Sequence, residues 1–531
     1  MDLKPKDILL RALPLAGFLV LVLHVFSFPY RLGADQSMYL LAADRFLSGA
    51  IPYVDLIDIN PPLIIYLNTP LIIASRLSGV SVHYVFLVTI LSLIALSSLA
   101  LYRLLSRSIF SKSETACLIF GLIFLSIGTW SDRGFGQREH LFALALLPYL
   151  ILRMQRSLHV LKISTFTTFA IGVAAGLASS LKPHFVFVVL LFEGFLHWSN
   201  PRQNKKSAEV IGFCIPPVLY ALHFLFLPRQ EWQAFFTELI PLVERHYSTM
   251  GKSPAEFFPH LLEFSGYILI SALLITLLWS TLGEGIKFIL KGLFVCAIGS
   301  LAIYIFHGKD FDYQTIPLRY TAGAIFFLLL PHIQDCGRAL PIRRAAAFGI
   351  FIVASLALLA SLSKKVFHQY FPRPLANAVS DRFWDTNSFV AKTMHSQLVK
   401  KDRVIFFTPN PHLMPELVYG DYLNGSRYLF QFPLAFFNDR HSIDSTRPYP
   451  YKTFNMMNAE EQRFVRHIKE DVHDLKPKML IFYSNQFSYS FLPSNFDVLE
   501  YFKTNGAWAE WQNDYDLVGV KNNTAVYVRR N

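Results

Sequence analysis

The sequence predicts a polytopic α-helical membrane protein of about eleven transmembrane helices, followed by a small extracytoplasmic α/β domain. Of the 531 residues, 53% are hydrophobic and only 16% are charged, whereas soluble domains carry roughly 25% charged residues. The charge is also unevenly distributed: residues 376–531 contain 18 basic and 17 acidic residues, while residues 1–375 contain 31 and 20. We therefore predict a membrane domain over residues 1–375 and a soluble domain over residues 376–531.

The composition also argues against other classes of protein. A disordered chain would not be so rich in hydrophobic residues, and four cysteines are too few for a disulfide scaffold. Nearly all of the net charge of +12 falls in residues 1–375. This charge indicates basic loops at a membrane surface rather than binding of nucleic acid.

Apolar stretches long enough to cross a bilayer core of ~30 Å recur along the membrane domain. The predicted spans are residues 8–29, 82–102, 115–130, 140–152, 164–181, 184–199, 208–227, 263–282, 288–306, 316–332 and 346–363. Basic residues precede the first span and recur in alternate connections, which predicts a cytoplasmic N-terminus. An odd number of spans then places residues 376–531 outside the cytoplasm, and we expect a bacterial inner membrane.

Residues 61–77 are apolar enough to form a twelfth span, but that span would move every later basic cluster outside the cytoplasm. We therefore expect this segment to lie along the outer interface, interrupted at Asn68-Thr69-Pro70.

Charged residues flanked by glycine, proline and aromatic residues cluster in four loops of the predicted outer face. Such charges beside hydrocarbon are candidates for function, although solvated loops at the level of the lipid headgroups are the simpler alternative. The candidates are Asp35, Asp55 and Asp58 in the first loop, Asp132, Arg133, Arg138 and Glu139 in the second, Lys182 in the third, and Lys309 and Tyr313 in the fourth.

This combination of groups suits glycosyl transfer from a lipid carrier. An extracytoplasmic enzyme has no nucleotide sugar available, and a polyprenyl-phosphate sugar is an activated donor embedded in the membrane. The phosphate leaves with negative charge that cations stabilise, while a carboxylate deprotonates the acceptor hydroxyl. Both kinds of group are present at the predicted outer face.

The first-loop Asp35 followed by the segment Pro61-Pro62-Leu63 resembles the pattern of GT-C glycosyltransferases, among them glycosyltransferase families 39 and 83. The resemblance implies a multispan catalytic domain with its site on the outer face and a soluble extracytoplasmic domain. It also implies a dolichyl- or undecaprenyl-phosphate sugar as donor, inversion of the anomeric centre, and a lipid, glycan or protein acceptor.

The same resemblance assigns roles to the acidic candidates. It implies that Asp35 is the general base or positions the acceptor, although Gln36 stands where the family often has a second acid. Glu139 opens the helix after the second loop, and Asp132 competes with it for a catalytic role. Asp55 and Asp58 are expected to belong to the loop that contacts the acceptor or the donor.

Phosphate binding is the role implied for the basic candidates. Arg133 and Arg138 belong to the second-loop pattern, and arginine is suited to bidentate contact with phosphate. Lys182 resembles a basic residue that follows a glycine-rich helix, and Lys309 with Tyr313 resembles a lysine-to-tyrosine loop motif. A lysine that often precedes the two prolines is replaced by Asn60, so its role must fall elsewhere.

Other interpretations remain open from the sequence. The pattern predicts no metal site, because histidine and cysteine lack ligand spacing, although a divalent ion held by Asp35 and Asp132 is compatible with it. A polysaccharide polymerase or ligase that uses a pyrophosphate-linked donor would share the cations. A transporter would instead carry charges near the midplane of the bilayer.

Residues 376–531 show the pattern of a small α/β domain. Val404–Phe407 and Met479–Tyr483 are predicted to be buried strands, and residues 458–473 are predicted to form a helix with Asn458 as its N-cap. Tyr515–Val520 and Thr524–Arg529 are predicted to form a hairpin. No phosphate loop or nucleophile motif is present, so we expect this domain to cap the membrane site or shape acceptor binding.

Overall fold

The computed structural model describes residues 5–27, 32–131, 134–158, 163–199, 207–247, 251, 253–309, 311–333, 349, 389–438, 444, 446–483, 491–521 and 524–530. The chain divides into two compact units. The first, called the helical unit, comprises residues 1–30, 86–225 and 252–380. The second, called the mixed unit, comprises residues 31–85, 226–251 and 381–531.

The helical unit consists of apolar helices. Its described helices are Pro5–Ser27, Lys112–Ser131, Arg138–Ser157, Thr165–Ser179, Phe185–Ser199, Ala208–His223, Pro254–Leu278, Glu284–His307 and Ile316–Leu329, and the helix Val82–Leu105 lies almost wholly within it. Over the described residues, five helices are long and apolar enough to cross a membrane: Val82–Leu105, Lys112–Thr129, Ala255–Thr281, Glu284–His307 and Asp312–Ile333. The predicted membrane character is therefore confirmed.

Ten of the eleven predicted spans coincide with a helix. The remaining one, residues 346–363, lies outside the described residues except for residue 349. Five further apolar helices are shorter than 18 residues, Ala12–Phe26 among them. The number of crossings and the orientation of the termini stay predictions.

Backbones of two helices meet closely in the helical unit. A Cβ atom built on Gly172 would lie 2.1 Å from the carbonyl oxygen of Glu209, and one on Gly176 would lie 2.1 Å from that of Phe213. Only glycine fits at such a distance, and small residues at this spacing are a common means of packing helices in membranes. The helices Thr165–Ser179 and Ala208–His223 are therefore held together by backbone contact.

The mixed unit contains a five-stranded sheet in the order β2-β1-β3-β5-β4. The strands are β1 Arg403–Phe407, β2 Leu423–Asn424, β3 Met479–Tyr483, β4 Tyr515–Lys521 and β5 Thr524–Arg529. β1 pairs in parallel with β2 and β3, whereas β5 is antiparallel to β3 and β4. The predicted strands and the predicted hairpin coincide with β1, β3, β4 and β5.

The mixed unit also contains helices from segments far apart along the chain. The described helices of the mixed unit are Ala34–Leu47, Leu63–Ser78, Arg229–Gln233, Ile240–His246, Phe389–Gln397, Met414–Gly420, Pro433–Phe437, Ala459–Leu475, Val498–Thr504 and Ala507–Trp511, with a π-helix at Ala234–Leu239. Asn458 caps the helix Ala459–Leu475 as predicted, since its side-chain oxygen accepts a hydrogen bond from the Glu461 amide at 2.8 Å.

The first loop belongs to the same compact unit as the C-terminal residues. The Ile57 amide donates to the carbonyl of Arg427 at 2.7 Å, and the Leu429 amide donates to the carbonyl of Ile57 at 3.2 Å. The Arg45 guanidinium also donates to the carbonyl of Ser426. The predicted boundary at residue 375 falls outside the described residues and stays a prediction.

The predicted interruption of residues 61–77 is wrong. Residues Leu63–Ser78 form one helix with Pro70 inside it. The Asn68 side chain donates back to the carbonyl of Ile64 at 2.8 Å, and the Thr69 hydroxyl donates to that of Ile65 at 3.1 Å. Hydrogen bonds of this kind, from a side chain to the carbonyl four residues earlier, are compatible with a helical backbone, so the polar pair before the proline does not end the helix.

Candidate active site

Glu139 and Lys182 form an ion pair in the helical unit. Glu139 is the second residue of the helix Arg138–Ser157, where the helix dipole favours a carboxylate, and it is almost fully buried. Lys182 lies in the turn between the helices Thr165–Ser179 and Phe185–Ser199. The side chain of Lys182 is only 11% exposed, so the pair is largely removed from water.

Lys309 is a second buried cation beside this pair. It follows Gly308, which ends the helix Glu284–His307 in the left-handed conformation with φ of 58°, and only 6% of Lys309 is exposed. Burial, together with repulsion from Lys182, lowers the pKa of the Lys309 ammonium to about 6. The charge of Lys182 therefore acts directly on Lys309.

Tyr313 and Arg138 complete the set of predicted residues at this position. The Lys182 ammonium lies 5.3 Å from the centre of the Tyr313 ring, a distance typical of a cation–π contact. Arg138 is the first residue of the helix that carries Glu139 and is buried. The structure thus brings together four of the predicted residues: Glu139, Lys182, Lys309 and Tyr313. Arg138 precedes Glu139 in the same helix.

A pair of histidines lies at the same site. The Nε2 atom of His307 is 3.1 Å from Nδ1 of His184, and Arg138 interacts electrostatically with His184. Glu139, His184, Ser300, His307 and Gln314 contribute to the lining of a small cavity of about 10 Å³, close to the minimum for a single water molecule. The sequence marks His184 as a possible donor to phosphate or a buried, hydrogen-bonded histidine, but it gives no sign of the pairing with His307.

The balance of charge at this site favours an anion. Three basic side chains, those of Arg138, Lys182 and Lys309, accompany the carboxylate of Glu139. Burial and the neighbouring charge of Lys182 lower the pKa of the Lys309 ammonium. A phosphate bound beside Lys309 would stabilise its ammonium form.

His140, also in this helix, has a structural role. It is fully buried, and its Nδ1 atom accepts a hydrogen bond from the Gly136 amide at 3.0 Å. This contact fixes the tight turn at Gly136, where φ is 76°, immediately before the helix that carries Arg138 and Glu139.

The other acidic candidates lie in the mixed unit or outside the described residues. The acid Asp132 and the basic candidate Arg133 lie outside the described residues. Asp35 is a partly exposed residue in the first turn of the helix Ala34–Leu47. Gly33 is the N-cap of this helix, so Asp35 lies inside the first turn, where the dipole favours its charge.

Asp55 and Asp58 differ sharply in their surroundings. Asp55 is exposed, and its carboxylate accepts a hydrogen bond from the Ile51 amide at 3.0 Å within a turn. Asp58 is fully buried, and both of its carboxylate oxygens lie 3.1 Å from the amide nitrogen of Asn60. Asp55 therefore has the contacts of a turn residue, whereas Asp58 is a buried acid with polar neighbours.

The chemistry of these residues does not match a metal centre. Within the described ranges, no group of three or more His, Cys, Asp or Glu side chains is placed to hold a metal ion. The groups that converge are mainly cationic, and cations of this kind bind phosphate or carboxylate rather than metal ions.

The model of glycosyltransferase family 87 matches residues 59–331, just over half of the chain. The chain belongs to glycosyltransferase family 87 and is a membrane glycosyltransferase of the GT-C type, as predicted. The matched range contains Arg138, Glu139, Lys182, Lys309 and Tyr313, and it begins after Asp35.

Two solved structures are similar to the chain. One is ArnT from Cupriavidus metallidurans bound to undecaprenyl phosphate, with 15% identity, a TM-score of 0.49, and coverage of 98% of this chain and 97% of that chain. The other is the archaeal oligosaccharyltransferase AglB from Archaeoglobus fulgidus in complex with an inhibitory peptide and a dolichol-phosphate, with 11% identity, a TM-score of 0.45, and coverage of 90% and 69%. The comparison with curated proteins finds no match.

Proposed function

We propose that this protein transfers a sugar from a polyprenyl-phosphate carrier to an extracytoplasmic lipid, glycan or protein acceptor, with inversion of the anomeric carbon. The observation that supports this proposal best is the ion pair of Lys182 with Glu139, with the buried Lys309 beside Lys182 and the buried Arg138 preceding Glu139 in the same helix. Buried lysine and arginine side chains bind phosphate through charge-assisted hydrogen bonds, and the donor proposed here carries a phosphate.

In this proposal the basic residues bind the phosphate and stabilise it as it leaves. Lys309 takes up a proton when the phosphate arrives, because the anion raises the pKa that burial has lowered. Lys182 is kept charged and oriented by Glu139, and Arg138 supplies planar N–H donors. We include Arg133 as a further phosphate ligand, on the sequence pattern alone.

The acceptor must lose a proton as it attacks. We propose Asp35 as the base: its carboxylate takes the proton of the acceptor hydroxyl, the acceptor oxygen forms a bond to the anomeric carbon, and the bond from that carbon to the phosphate oxygen breaks. Glu139 forms an ion pair with Lys182 and is therefore the weaker candidate for base, and Asp132 is the alternative to Glu139 on the sequence pattern alone. Asp55, Asp58 and Tyr313 are proposed to shape the donor and acceptor loops.

Transfer assays with purified protein in lipid nanodiscs test this function directly. A panel of polyprenyl-phosphate sugars is offered to the wild type and to Lys182→Gln, Lys309→Gln and Asp35→Asn. We expect each variant to lose about 10²-fold or more of kcat, the usual cost of removing a charge-stabilising donor or a general base. Lys291→Gln is the matched control, because Lys291 is an exposed lysine of the same unit that contacts Trp279.

Two results would contradict the proposal. Activity that depends on pyrophosphate-linked donors and is absent with monophosphate donors would favour a polymerase or ligase instead. Full activity of Asp35→Asn would remove Asp35 as the base while leaving the phosphate site in place.

The proposed location is a bacterial inner membrane with the N-terminus in the cytoplasm and the C-terminal residues outside it. Reporter enzymes fused after residue 375 and at the N-terminus test this orientation. A cytoplasmic signal from the C-terminal fusion would overturn it.

A further inference from the structure

A second cavity, separate from the cationic site, lies within the mixed unit. Its volume is about 190 Å³. That is below the ~300–1,000 Å³ of pockets that hold drug-sized ligands, but above the ~150 Å³ of an engineered cavity that binds benzene. The cavity therefore has room for one six-membered ring with its substituents and is too small for a longer ligand to enter entirely.

Part of the wall is aromatic. Tyr53, Tyr428, Phe432, Phe437 and Phe464 contribute to the lining. The Tyr428 hydroxyl is fixed by a contact of 3.0 Å with Nδ1 of His467, and the Tyr428 ring packs at 5.3 Å against that of Phe464. These rings present flat apolar faces, which pack against the C–H face of a ligand ring.

The aliphatic side chains of Ile57, Leu239 and Leu242 also contribute to the wall, and the charges in its remaining part balance. Arg463 pairs with Glu238 at 2.7 Å, and Arg245 pairs with Glu460. These pairs join the segment 226–251 to the helix Ala459–Leu475. Two arginines and two glutamates give no net charge, and burial lowers the pKa of His467 to about 4, helped by the positive charge of Arg427, Arg463 and Arg466, so this histidine is neutral at pH 7.

The charged part of the wall disfavours two kinds of ligand. A phosphate would leave both carboxylates facing an anion, which is unfavourable. An acyl chain would pack against the apolar part of the wall but would return no hydrogen bond to the arginine and glutamate side chains. A neutral ring rich in hydroxyl groups can pack its C–H face against the aromatic rings and can form hydrogen bonds with the charged side chains. Each arginine has five N–H donors, and each carboxylate has several acceptor sites.

We infer that this cavity binds one neutral sugar residue of the acceptor glycan. The assignment to the acceptor rests on the proposed function, whereas binding of a neutral sugar does not. The donor sugar has the same chemistry as an acceptor sugar, so the experiment must separate these two sources.

Saturation-transfer NMR on the full-length protein in nanodiscs measures the binding step. The probes are the neutral disaccharides maltose, lactose, mannobiose and chitobiose, with glucose 1-phosphate as the charged comparison. We expect at least one neutral probe to bind, and Thr237→Phe and Arg463→Ala to weaken that binding by at least about tenfold. Thr237 is an exposed residue of the lining, so a larger side chain there fills the cavity from its open side.

Arg466→Ala is the matched control, because Arg466 is an exposed arginine of the same helix that does not line the cavity. Transfer kinetics then separate the two sources of sugar. We expect Thr237→Phe to raise KM for the acceptor and to leave KM for the polyprenyl-phosphate donor unchanged, and the opposite result would overturn the acceptor assignment. Absence of binding by all neutral probes at millimolar concentration, preference for glucose 1-phosphate, or equal binding by the wild type and both cavity variants would overturn the inference itself.

Lys182→Gln distinguishes this inference from the proposed function. The variant should bind the neutral probe as the wild type does while it loses transfer. If no variant or wild-type preparation transfers sugar from a lipid-linked donor, the proposed function fails, and the NMR result still decides whether the cavity binds sugar.

Discussion

Lys309 lies so near Lys182 that the charge of one lowers the pKa of the other. Two buried ammonium groups repel each other, and the carboxylate of Glu139 is paired with Lys182. Lys309 is therefore the residue whose protonation responds to the arrival of an anion. This relationship makes ligand binding at the site dependent on pH.

We predict that affinity for undecaprenyl phosphate falls as the pH rises above about 6. Without a ligand, Lys309 loses its proton near pH 6, so binding at higher pH requires uptake of a proton. The affinity should fall by at most about tenfold per pH unit, the limit for one linked proton. Titrations in nanodiscs between pH 5.5 and 8.5 measure this slope.

Lys309→Arg is the control for that titration. Arginine remains charged throughout this range, so the slope contributed by residue 309 should disappear. An unchanged slope in Lys309→Arg would show that another group takes up the proton.

The ion pair of Glu139 and Lys182 predicts strong coupling between the two residues. Removal of one partner from a buried pair leaves an uncompensated charge and costs ~3–5 kcal/mol. Glu139→Gln and Lys182→Gln should therefore each lower Tm substantially, while the double variant should lose clearly less than the sum of both. Thermal unfolding followed by a thiol-reactive dye or by intrinsic fluorescence measures the cycle.

Lys287→Gln provides the comparison for a more exposed pair. Lys287 contacts Glu284 at 2.6 Å, but the Glu284 side chain is 89% exposed, and exposed pairs contribute about 0–1 kcal/mol. If the loss of stability in the double variant equalled the sum of the two single losses, Glu139 and Lys182 would not interact, and the prediction would be wrong.

The close approach at Gly176 predicts that even one methyl group disturbs the site from a distance. Gly176→Ala places a Cβ atom against the Phe213 carbonyl, so the two helices must separate, and the turn with Lys182 follows Gly176 after a few residues. We expect a lower Tm and a loss of transfer activity of at least about tenfold, since small displacements of catalytic groups are costly. Gly194→Ala is the control, because a Cβ atom at Gly194 meets nothing within 4 Å.

The half-buried His467 predicts acid sensitivity of the mixed unit. Its pKa is lowered to about 4 from an ordinary value near 6.5, so the unfolded chain binds this proton more readily. Stability contributed by the neutral ring is complete above pH 6.5 and is lost as the pH falls toward 4. Tm should drop by a few degrees over this interval, and less so in His467→Gln than in the exposed control His473→Gln.

The sequence predicted most of the cationic site because each residue carried a local signal. Glu139, Lys182 and Lys309 are charged residues at the ends of apolar stretches, and charges in such positions are rarely incidental. The pairing of His184 with His307 had no such signal, since each histidine on its own fits an interfacial residue. Two further candidates, Asp132 and Arg133, lie outside the described residues and stay predictions.

Sequence patterns failed where distant segments decide the structure. Pro70 after Asn68 and Thr69 has the local appearance of a helix end, yet Leu63–Ser78 is one helix, and the bond from Asn68 to the Ile64 carbonyl is compatible with it. The pairing of distant segments is a separate failure. The hydrogen bonds of Ile57 with Arg427 and Leu429 join residues about 370 positions apart, and no periodicity in either segment indicates this pairing.

The backbone bonds of Ile57 also have a consequence for biosynthesis. The segment that carries Asp35 leaves the ribosome long before its partners near Arg427 are made, so the mixed unit cannot be completed until translation is nearly finished. In a nascent chain that stops before residue 427, Ile57 of the first loop would lack its hydrogen-bond partners Arg427 and Leu429. Quality-control proteases should therefore recognise truncated products through that loop, even when the preceding helices have already been inserted.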